Sequence, residues 1–165
     1  MSFVSDKLKG EKAEDSVAKI LSHYWDIHKA SDLIKGRFYD WDLSAVQPGT
    51  GYEVFTVEVK YDEMQSETGN IAIEIYNTKL GKPSGLSATK ADLWCHVLKG
   101  STWITSVDKL KKFCEEVSPF KSLNLAGDEN ASILLYKTED ILEIFERIDG
   151  QDVKTPIQTI SALLP

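Results

Sequence analysis

Cysteine is scarce in this 165-residue chain, and no hydrophobic run approaches the length of a membrane-spanning helix. The two cysteines, Cys95 and Cys114, lie far apart in segments that otherwise resemble core. This spacing predicts buried free thiols and argues against a disulfide framework. The first ten residues contain no apolar stretch typical of a signal peptide. These features together predict a soluble cytoplasmic protein without a membrane partner.

Positive charge is also in short supply. Lysine and arginine total 19 against 26 aspartates and glutamates, so the formal net charge is −7. A general DNA-binding protein is usually basic, and this balance argues mildly against nucleic acid as a partner. An active site rich in carboxylates lowers the net charge by itself, however, and binding needs only a local basic patch. Lysines cluster in two segments, at Lys79, Lys82 and Lys90 and at Lys109, Lys111 and Lys112.

Several common catalytic and metal-binding motifs are missing. The three histidines, His23, His28 and His96, lack the spacing of a zinc site, and we interpret them as structural or surface residues. The loop 81–85 contains glycines but lacks the spacing of a nucleotide-binding P-loop. No serine or cysteine has a convincing histidine partner in the sequence. The sequence therefore gives no support to a zinc enzyme, a P-loop protein or a serine or cysteine nucleophile.

The length and the hydrophobic content of 42% suit one compact domain over residues 1–165. Periodicity and capping residues predict helices at 9–25, at 87–92 with Ser87 as N-cap, at 107–117 with Ser106 as N-cap, and at 138–148 with Thr138 as N-cap. They predict strands at 37–46, 52–62, 70–76, 93–98, 102–105 and 131–136, with polar or irregular connections at 63–69 and 118–130 and no assignment for 150–165. With the first three strands as a meander, this order predicts an α/β fold with a mixed β-sheet core flanked by helices.

The most informative stretch is Tyr52–Asp62, whose residues alternate as in a β-strand. One face is apolar and suits an ordinary core. The opposite face carries Glu58 and Lys60, two residues apart and therefore about 7 Å apart along the strand. A charged pair of this kind on an exposed strand is usually solvated and contributes only about 0.2–1 kcal/mol. Its significance depends on the other charged groups that lie nearby.

Two further carboxylates are expected beside this pair. Asp42 lies on the preceding strand, and the turn 47–51 between the two strands has hairpin chemistry. Asp40 points to the same face; Asp42 is preferred because it lies nearer the turn, but the choice stays open. Glu14 lies on or beside the apolar stripe of the first helix, so its carboxylate needs a metal, a lysine or a backbone donor as partner. The alternative for Glu14 is a first-turn acid stabilised by the helix dipole.

Together these residues offer the chemistry of phosphodiester hydrolysis. The oxygen ligands of Asp42, Glu58 and Glu14 suit Mg²⁺ or Mn²⁺. Such ions polarise phosphoryl oxygens and lower the pKa of an attacking water. Lys60 beside the metal can orient the water, help to deprotonate it, or offset the charge of the phosphorane. Burial lowers the pKa of Lys60 and the neighbouring carboxylates raise it, and the sequence does not decide between the two effects.

The arrangement of these four residues resembles a known family. Glu14 on a first helix, Asp42 on a first strand and the Glu58-x-Lys60 motif on a second strand are similar to the PD-(D/E)XK nuclease superfamily. This is the restriction-endonuclease-like fold of type II restriction enzymes, Holliday-junction resolvases and many phage nucleases. The proline that precedes the aspartate in the family motif is replaced here by Trp41.

The resemblance covers residues 9–98, and the stretch 69–94 is similar to a phage-type subgroup of these nucleases. It implies an endodeoxyribonuclease that depends on Mg²⁺ or Mn²⁺, with Asp42, Glu58 and Glu14 as metal ligands and Lys60 as a further catalytic residue. A domain of this size with no separate recognition module predicts structure-selective or weakly sequence-selective cutting. RNA is an open alternative to DNA as the substrate. The resemblance also allows a homodimer, as in junction resolvases of this fold.

Four further residues are candidate contacts to substrate or phosphate. Glu74 lies on the face opposite the isoleucines of its strand and could approach the metal; the alternative is a surface acid. Lys90, with Ser87 and Thr89, could bind phosphate at the N-terminus of the predicted short helix. The alternative for these three residues is simple capping.

Two other functions stay in competition with a nuclease. The acidic charge favours a catalytically inactive protein of the same fold that acts as a nucleic-acid-binding or assembly factor. A third hypothesis is an α/β regulatory or adaptor domain with no nucleic-acid partner. Metal binding that depends on Asp42 would support the first hypothesis, and retention on DNA at low salt would count against the third.

Overall fold

The computed structural model describes residues 3–34, 40–125, 130–150 and 156–165. These ranges contain ten strands: β1 (Asp26–Lys29), β2 (Leu43–Val46), β3 (Glu53–Tyr61), β4 (Asn70–Asn77), β5 (Lys82–Pro83), β6 (Leu93–Leu98), β7 (Ser101–Ser106), β8 (Lys121–Asn124), β9 (Ala131–Lys137) and β10 (Glu146–Arg147). They also contain six α-helices: α1 (Phe3–Leu21), α2 (Ala30–Leu33), α3 (Gln65–Thr68), α4 (Val107–Glu116), α5 (Thr138–Ile141) and α6 (Pro156–Leu163). Two 3₁₀-helices span Gly85–Ser87 and Leu142–Ile144.

The strands form two sheets. The first sheet has six strands in the order β1-β2-β3-β6-β7-β10, and the second has four in the order β5-β4-β9-β8. In the first sheet β3 and β6 pair in parallel, whereas the other neighbours are antiparallel. The second sheet is antiparallel throughout. The prediction of an α/β protein with a mixed sheet is thus confirmed.

The predicted three-stranded meander is wrong, because β4 leaves the first sheet. After β3 the chain forms the short helix α3, and Gly69 ends this helix in the left-handed conformation with φ 66°. The next strand, β4, then pairs with β9 from Asn70 opposite Lys137 to Asn77 opposite Ala131. The alternation of β4 identified a strand correctly, but alternation shows which side chains share a face and not which strand is the partner.

Apolar residues form two cores, one on each face of the centre of the first sheet. The first core includes residues of α1, β2 and β3, among them Val17, Leu21, Leu43, Phe55 and Val57. The second core includes residues of β4, β6, α4 and β9, among them Ile71, Ile73, Trp94, Leu110 and Tyr136. Because both faces of β3 are covered, its polar residues are buried as well, and Glu58 is only 7% exposed.

Helix α1 extends further toward the N-terminus than predicted and ends four residues earlier, at Leu21. Its residues Ala13, Val17 and Leu21 are buried at a spacing of four, which places one stripe of the helix on the first core. Neither β1 nor α2 was predicted from the sequence. The predicted strand 37–46 is observed only as β2, Leu43–Val46, and residues 37–39 of that prediction lie outside the described residues.

The predicted helix 138–148 is wrong over most of its length. Helix α5 is followed by the second 3₁₀-helix and then by β10, which adds to the edge of the first sheet. Phe145 belongs to the second core and Ile148 to the first, so the chain must cross between the two cores and cannot continue as one helix. Thr138 is the first helical residue and not an N-cap; its hydroxyl accepts a hydrogen bond from Gln65 Nε2 at 3.1 Å.

Three other predicted segments differ from the structure. The predicted helix 87–92 is replaced by the 3₁₀-helix Gly85–Ser87, and the predicted irregular loop 118–130 contains strand β8. The unassigned tail contains α6, whose Ile160 is buried in the first core.

Two other predictions agree with the structure. Helix α4 has Ser106 as its N-cap, with the hydroxyl accepting from Lys109 N at 3.2 Å. Cys95 and Cys114 are free thiols, of which Cys95 is buried and Cys114 half-buried. Within the described residues, none of the helices is both long enough and apolar enough to cross a bilayer.

Candidate active site

Strand pairing brings Asp42 against the centre of β3. Asp42 immediately precedes β2, and its backbone N–H donates to Val57 O at 2.9 Å. Its carboxylate Oδ2 accepts a hydrogen bond from Val59 N at 2.7 Å. Two bonds to β3, one on either side of Glu58 in the sequence, therefore hold the Asp42 side chain next to that residue.

Glu58 is held from two directions. Its Oε1 lies 2.7 Å from Lys60 Nζ, and its Oε2 accepts a hydrogen bond from the Thr89 hydroxyl at 3.1 Å. The Glu58 side chain is 9% exposed and that of Lys60 is 35% exposed. The carboxylate is thus fixed inside the protein, while the Lys60 side chain is only partly buried.

The structure separates the two candidate aspartates. Asp40 Oδ2 pairs with Lys90 Nζ at 3.0 Å, and the Lys90 side chain is 68% exposed. Asp42 instead contacts the backbone of β3, and its charge acts on both Glu58 and Lys60. Asp40 lines a cavity together with Asp42, but only Asp42 is held against the strand that carries Glu58 and Lys60.

Glu14 faces the site from α1. It is half-buried, and its nearest cation is Lys29, whose Nζ lies 3.8 Å from Glu14 Oε2. Burial and, second, the charge of Asp42 raise the pKa of Glu14 to about 7, although Lys29 opposes the shift. The expectation of an acid beside the apolar stripe that needs a partner therefore agrees with its position, because Lys29 also pairs with Asp15 and compensates Glu14 only in part.

The electrostatics of the central trio answer the question that the sequence left open for Lys60. Burial lowers its pKa, but the carboxylates of Glu58 and Asp42 outweigh that effect, and the pKa is raised. Burial also raises the pKa of Asp42 and of Glu58, with Lys60 opposing the shift in both. Lys60 is therefore a cation at neutral pH, and the two carboxylates share it as their main compensating charge.

Two cavities meet at the trio, with volumes of about 510 and 690 Å³. Both are lined by Asp42, Lys60 and Glu74. Glu58 lines the smaller cavity, and Glu14 lines the larger one. Glu74 on β4 thus reaches the site as expected, and its charge contributes to the raised pKa of Lys60.

No protein-family model matches this chain, and no curated protein matches its sequence. The likeness to PD-(D/E)XK nucleases therefore stays a prediction from the sequence.

The expected phosphate site at Ser87, Thr89 and Lys90 is not assembled as predicted. Ser87 is exposed at the end of a 3₁₀-helix, so no helix N-terminus is available at this position. Thr89 is buried, and its hydroxyl proton is shared between two acceptors, the Glu58 carboxylate and the backbone carbonyl of Asp40. Lys90 is paired with Asp40 at the rim. The sequence of this segment suggested a helix cap, but in the structure its Thr89 hydroxyl donates to the Glu58 carboxylate.

The role of Thr89 and of the polar residues beyond Lys60 was not predicted from the sequence. Asp62 and His96 are buried, 8% and 1% exposed, and both line the larger cavity. Asp62 shares the alternating face of Glu58 and Lys60, which was a usable signal. His96 lies opposite Lys60 in the parallel register of β3 and β6. No sequence pattern shows that register, because β6 begins more than 30 residues after β3 begins.

The donor set of the site fits a hard divalent cation. The candidate ligands Asp42, Glu58 and Glu14 offer only oxygen, which Mg²⁺ and Mn²⁺ prefer. Among the described residues, no three His, Cys, Asp or Glu side chains are already gathered into a metal-binding group. Mg²⁺ commonly uses one or two carboxylates and keeps several waters, so Asp42 and Glu58 suffice. A metal that uses Glu58 Oε1 must displace Lys60 from it.

Proposed function

We propose that this protein is a metal-dependent nuclease that hydrolyses phosphodiester bonds in DNA. The observation that carries the proposal is the trio of Asp42, Glu58 and Lys60 at the junction of two cavities. Two buried carboxylates that share one lysine have excess negative charge, and this favours binding of a cation with hard oxygen preference.

Asp42 and Glu58 would hold Mg²⁺ or Mn²⁺, and Glu14 would add a ligand or a hydrogen bond to a bound water. When bound, such an ion would polarise a phosphoryl oxygen and lower the pKa of a water molecule. The chain's own contribution is to fix the ligands, through Val59 N on Asp42 and the Thr89 hydroxyl on Glu58. Rigid ligands reduce the reorganisation that cation binding requires.

Lys60 is a cation in the metal-free site, and we propose that it acts through this charge. Its raised pKa keeps the ammonium protonated at neutral pH. A fixed positive charge next to the carboxylates can attract the substrate phosphate and stabilise the negative charge that develops on the phosphorane. It can also orient the attacking water by a hydrogen bond.

The resemblance supplies the rest of the proposal. DNA is the preferred substrate, with RNA as an alternative, and cleavage within a strand, either structure-selective or weakly sequence-selective, stays a prediction of the sequence. A homodimer, a single domain over residues 1–165 and a cytoplasmic location stay predictions of the sequence.

A cleavage assay tests the proposal. The substrates are linear duplex, single strand, flap and four-way junction, each with Mg²⁺, Mn²⁺ or EDTA. We expect cleavage only with metal, and its loss in Lys60→Met and Glu58→Gln. Asp40→Asn is the matched control, because it removes a neighbouring carboxylate that pairs with Lys90, and it should keep most of the activity. Activity that is undiminished in Lys60→Met would show that the site is elsewhere.

One observation favours the alternative of an inactive nucleic-acid-binding or assembly factor. The ion pair of Lys60 with Glu58 satisfies an oxygen that a metal would need. Calorimetry with Mn²⁺ distinguishes the two functions: a nuclease site binds the ion, and an inactive one does not. Folded wild type that neither binds Mn²⁺ nor cleaves any of the four substrates would overturn the nuclease proposal, and retention on DNA at low salt would then support the alternative.

A further inference from the structure

We propose that His96 and Trp94, supported by Asp62, are positioning residues that hold the ammonium group of Lys60 in place. The inference deepens the nuclease proposal and rests on it for its catalytic consequence. Its structural content concerns only how Lys60 is oriented.

Lys60 and Asp62 on β3 lie on the same sheet face as Trp94 and His96 on the neighbouring strand β6. In the parallel pair of β3 and β6, Lys60 is opposite His96, and Glu58 is opposite Trp94. Lys60 Nζ lies 5.9 Å from the centroid of the Trp94 ring, within the range of a cation–π contact. The ammonium is therefore placed between the Glu58 carboxylate at 2.7 Å and an aromatic face.

His96 fixes the Trp94 ring. The indole N–H of Trp94 donates to His96 Nδ1 at 3.1 Å, and the two rings are nearly parallel, with 21° between their planes. Trp94 is completely buried and His96 is 1% exposed. The indole N–H can only donate, so Nδ1 is the acceptor, and the proton of the neutral imidazole lies on Nε2.

Asp62 favours this tautomer of His96. Its Oδ2 lies 3.6 Å from His96 Nε2, which has no hydrogen-bond partner among the described residues. Gln65 N and Ala72 N each donate to the Asp62 carboxylate at 3.0 Å, so the carboxylate itself is fixed. A negative charge facing Nε2 stabilises the proton on that nitrogen and leaves Nδ1 free to accept from Trp94.

Burying these polar side chains contributes less to the free energy of folding than apolar side chains in the same space would. Burying an imidazole and a carboxylate requires desolvation, and the 3.6 Å separation returns less than a full hydrogen bond. Phe145 packs edge-on against the His96 ring, with 82° between the planes, and this contact fixes the ring from another side. The series of contacts from Asp62 through His96 and Trp94 to Lys60 is explained if it orients the Lys60 side chain. The flexible stem of a lysine otherwise leaves its ammonium group mobile.

The test measures Lys60 directly by NMR, in the full chain and without metal. The Trp94 ring current shifts the ε-CH₂ resonance of Lys60, which is assigned by its disappearance in Lys60→Met. We expect the shift to be lost in His96→Leu, which has no acceptor for the indole N–H. His96→Asn should restore most of it, because its amide oxygen can accept in the place of Nδ1. An unchanged Lys60 resonance in His96→Leu would overturn the proposal.

A second variant covers a failure of His96→Leu to fold. Trp94→Phe keeps an aromatic ring but loses the N–H that His96 accepts, so the Lys60 shift should fall even though His96 is intact. A Lys60 resonance in Trp94→Phe at its wild-type position would overturn the proposed route through the indole.

Cleavage kinetics separate this inference from the proposed function. We expect His96→Leu to lower kcat/KM by about tenfold or more, since a misplacement of about 1 Å can cost about 100-fold. His96→Asn should recover most of the rate. If folded wild type does not cleave, the nuclease proposal fails, and the NMR result still decides whether the chain orients Lys60. A loss of kcat/KM that His96→Asn does not rescue would indicate a packing effect only.

Discussion

The carboxyl group of Glu14 shares the larger cavity with Asp42 and makes stability depend on pH. Its pKa rises from 4.5 to about 7 because of burial and, second, the charge of Asp42. The folded state therefore holds this proton more tightly than the unfolded state does. The resulting stabilisation is fully present below about pH 4.5 and is lost as the pH rises through about 7.

We expect Glu14→Gln to stabilise the metal-free protein at high pH. A shift from 4.5 to about 7 corresponds to at most about 3.4 kcal/mol, and partial exposure of the side chain reduces this to about 1–2 kcal/mol at pH 8. At pH 4 the gain should be close to zero, since Glu14 is then mostly protonated in both states. Urea denaturation in EDTA measures both values.

The control for this prediction is Glu11→Gln on the same helix, where the side chain is 49% exposed. It should change the free energy of unfolding by no more than about 0.5 kcal/mol at either pH. An equal gain from Glu14→Gln at pH 4 and pH 8 would contradict the assignment of a raised pKa.

Asp42 and Asp40 offer a second comparison between single residues. Asp42→Asn keeps an oxygen that can accept from Val59 N but removes the charge, so the fold should survive. We expect the Mn²⁺ affinity in calorimetry to fall by about tenfold or more, equivalent to about 1.4 kcal/mol. Asp40→Asn, which loses only a pair with the exposed Lys90, should change it by less than about twofold. Equal losses in both variants would leave the choice of ligand open again.

At the level of elements, the 3₁₀-helix Gly85–Ser87 packs tightly on β4. Gly85 has φ +51°, and a Cβ at this position would lie 2.3 Å from Glu74 O and 2.9 Å from Glu74 C. Such distances force the backbone apart, and the left-handed conformation adds its own cost for any residue with a side chain. The glycine thus allows the segment that carries Thr89 to approach the strand that carries Glu74.

We expect Gly85→Ala to lower the free energy of unfolding by about 2–5 kcal/mol, from overpacking and backbone strain together. Gly51→Ala is the matched control. Gly51 has φ +74°, and a Cβ added there would meet no heavy atom of the described part of the chain within 4 Å. It should cost only about 1–2 kcal/mol. Similar costs for the two variants in chemical denaturation would show that the close approach to β4 is relieved without penalty.

The elements also show where prediction from sequence succeeded. The alternation of 52–62 gave the correct faces of β3, and the turn 47–51 gave its antiparallel pairing with β2. Both depend on residues that are close in the sequence. The segment 138–148 was misassigned because Phe145 and Ile148 are drawn into different cores, and no local pattern shows a change of core.

For the whole molecule, the net charge of −7 should oppose the binding of DNA, which is also negatively charged. A bound metal ion would reduce this repulsion at the site. The cavities are lined by several carboxylates, which repel phosphate until a cation compensates them. We expect the affinity for labelled single strand and duplex to fall by about tenfold or more when Ca²⁺ is replaced by EDTA at low salt. Fluorescence anisotropy measures this, and Asp42→Asn should bind equally weakly in both conditions. Equal wild-type affinities with Ca²⁺ and EDTA would mean that a basic surface elsewhere carries the binding.

The chain's local patterns already contained the α/β class, the faces of β3, and the expectation that Asp42 and Glu58-x-Lys60 lie together. These follow from periodicity and a short hairpin, in which the interacting groups are neighbours along the chain. The departure of β4 to a second sheet, the closure of Thr89 over Glu58, and the line from Asp62 through His96 and Trp94 to Lys60 arise only on folding. Each depends on pairing or packing between segments far apart in sequence, where many partners satisfy the same local pattern and the free energy of the assembled cores selects one.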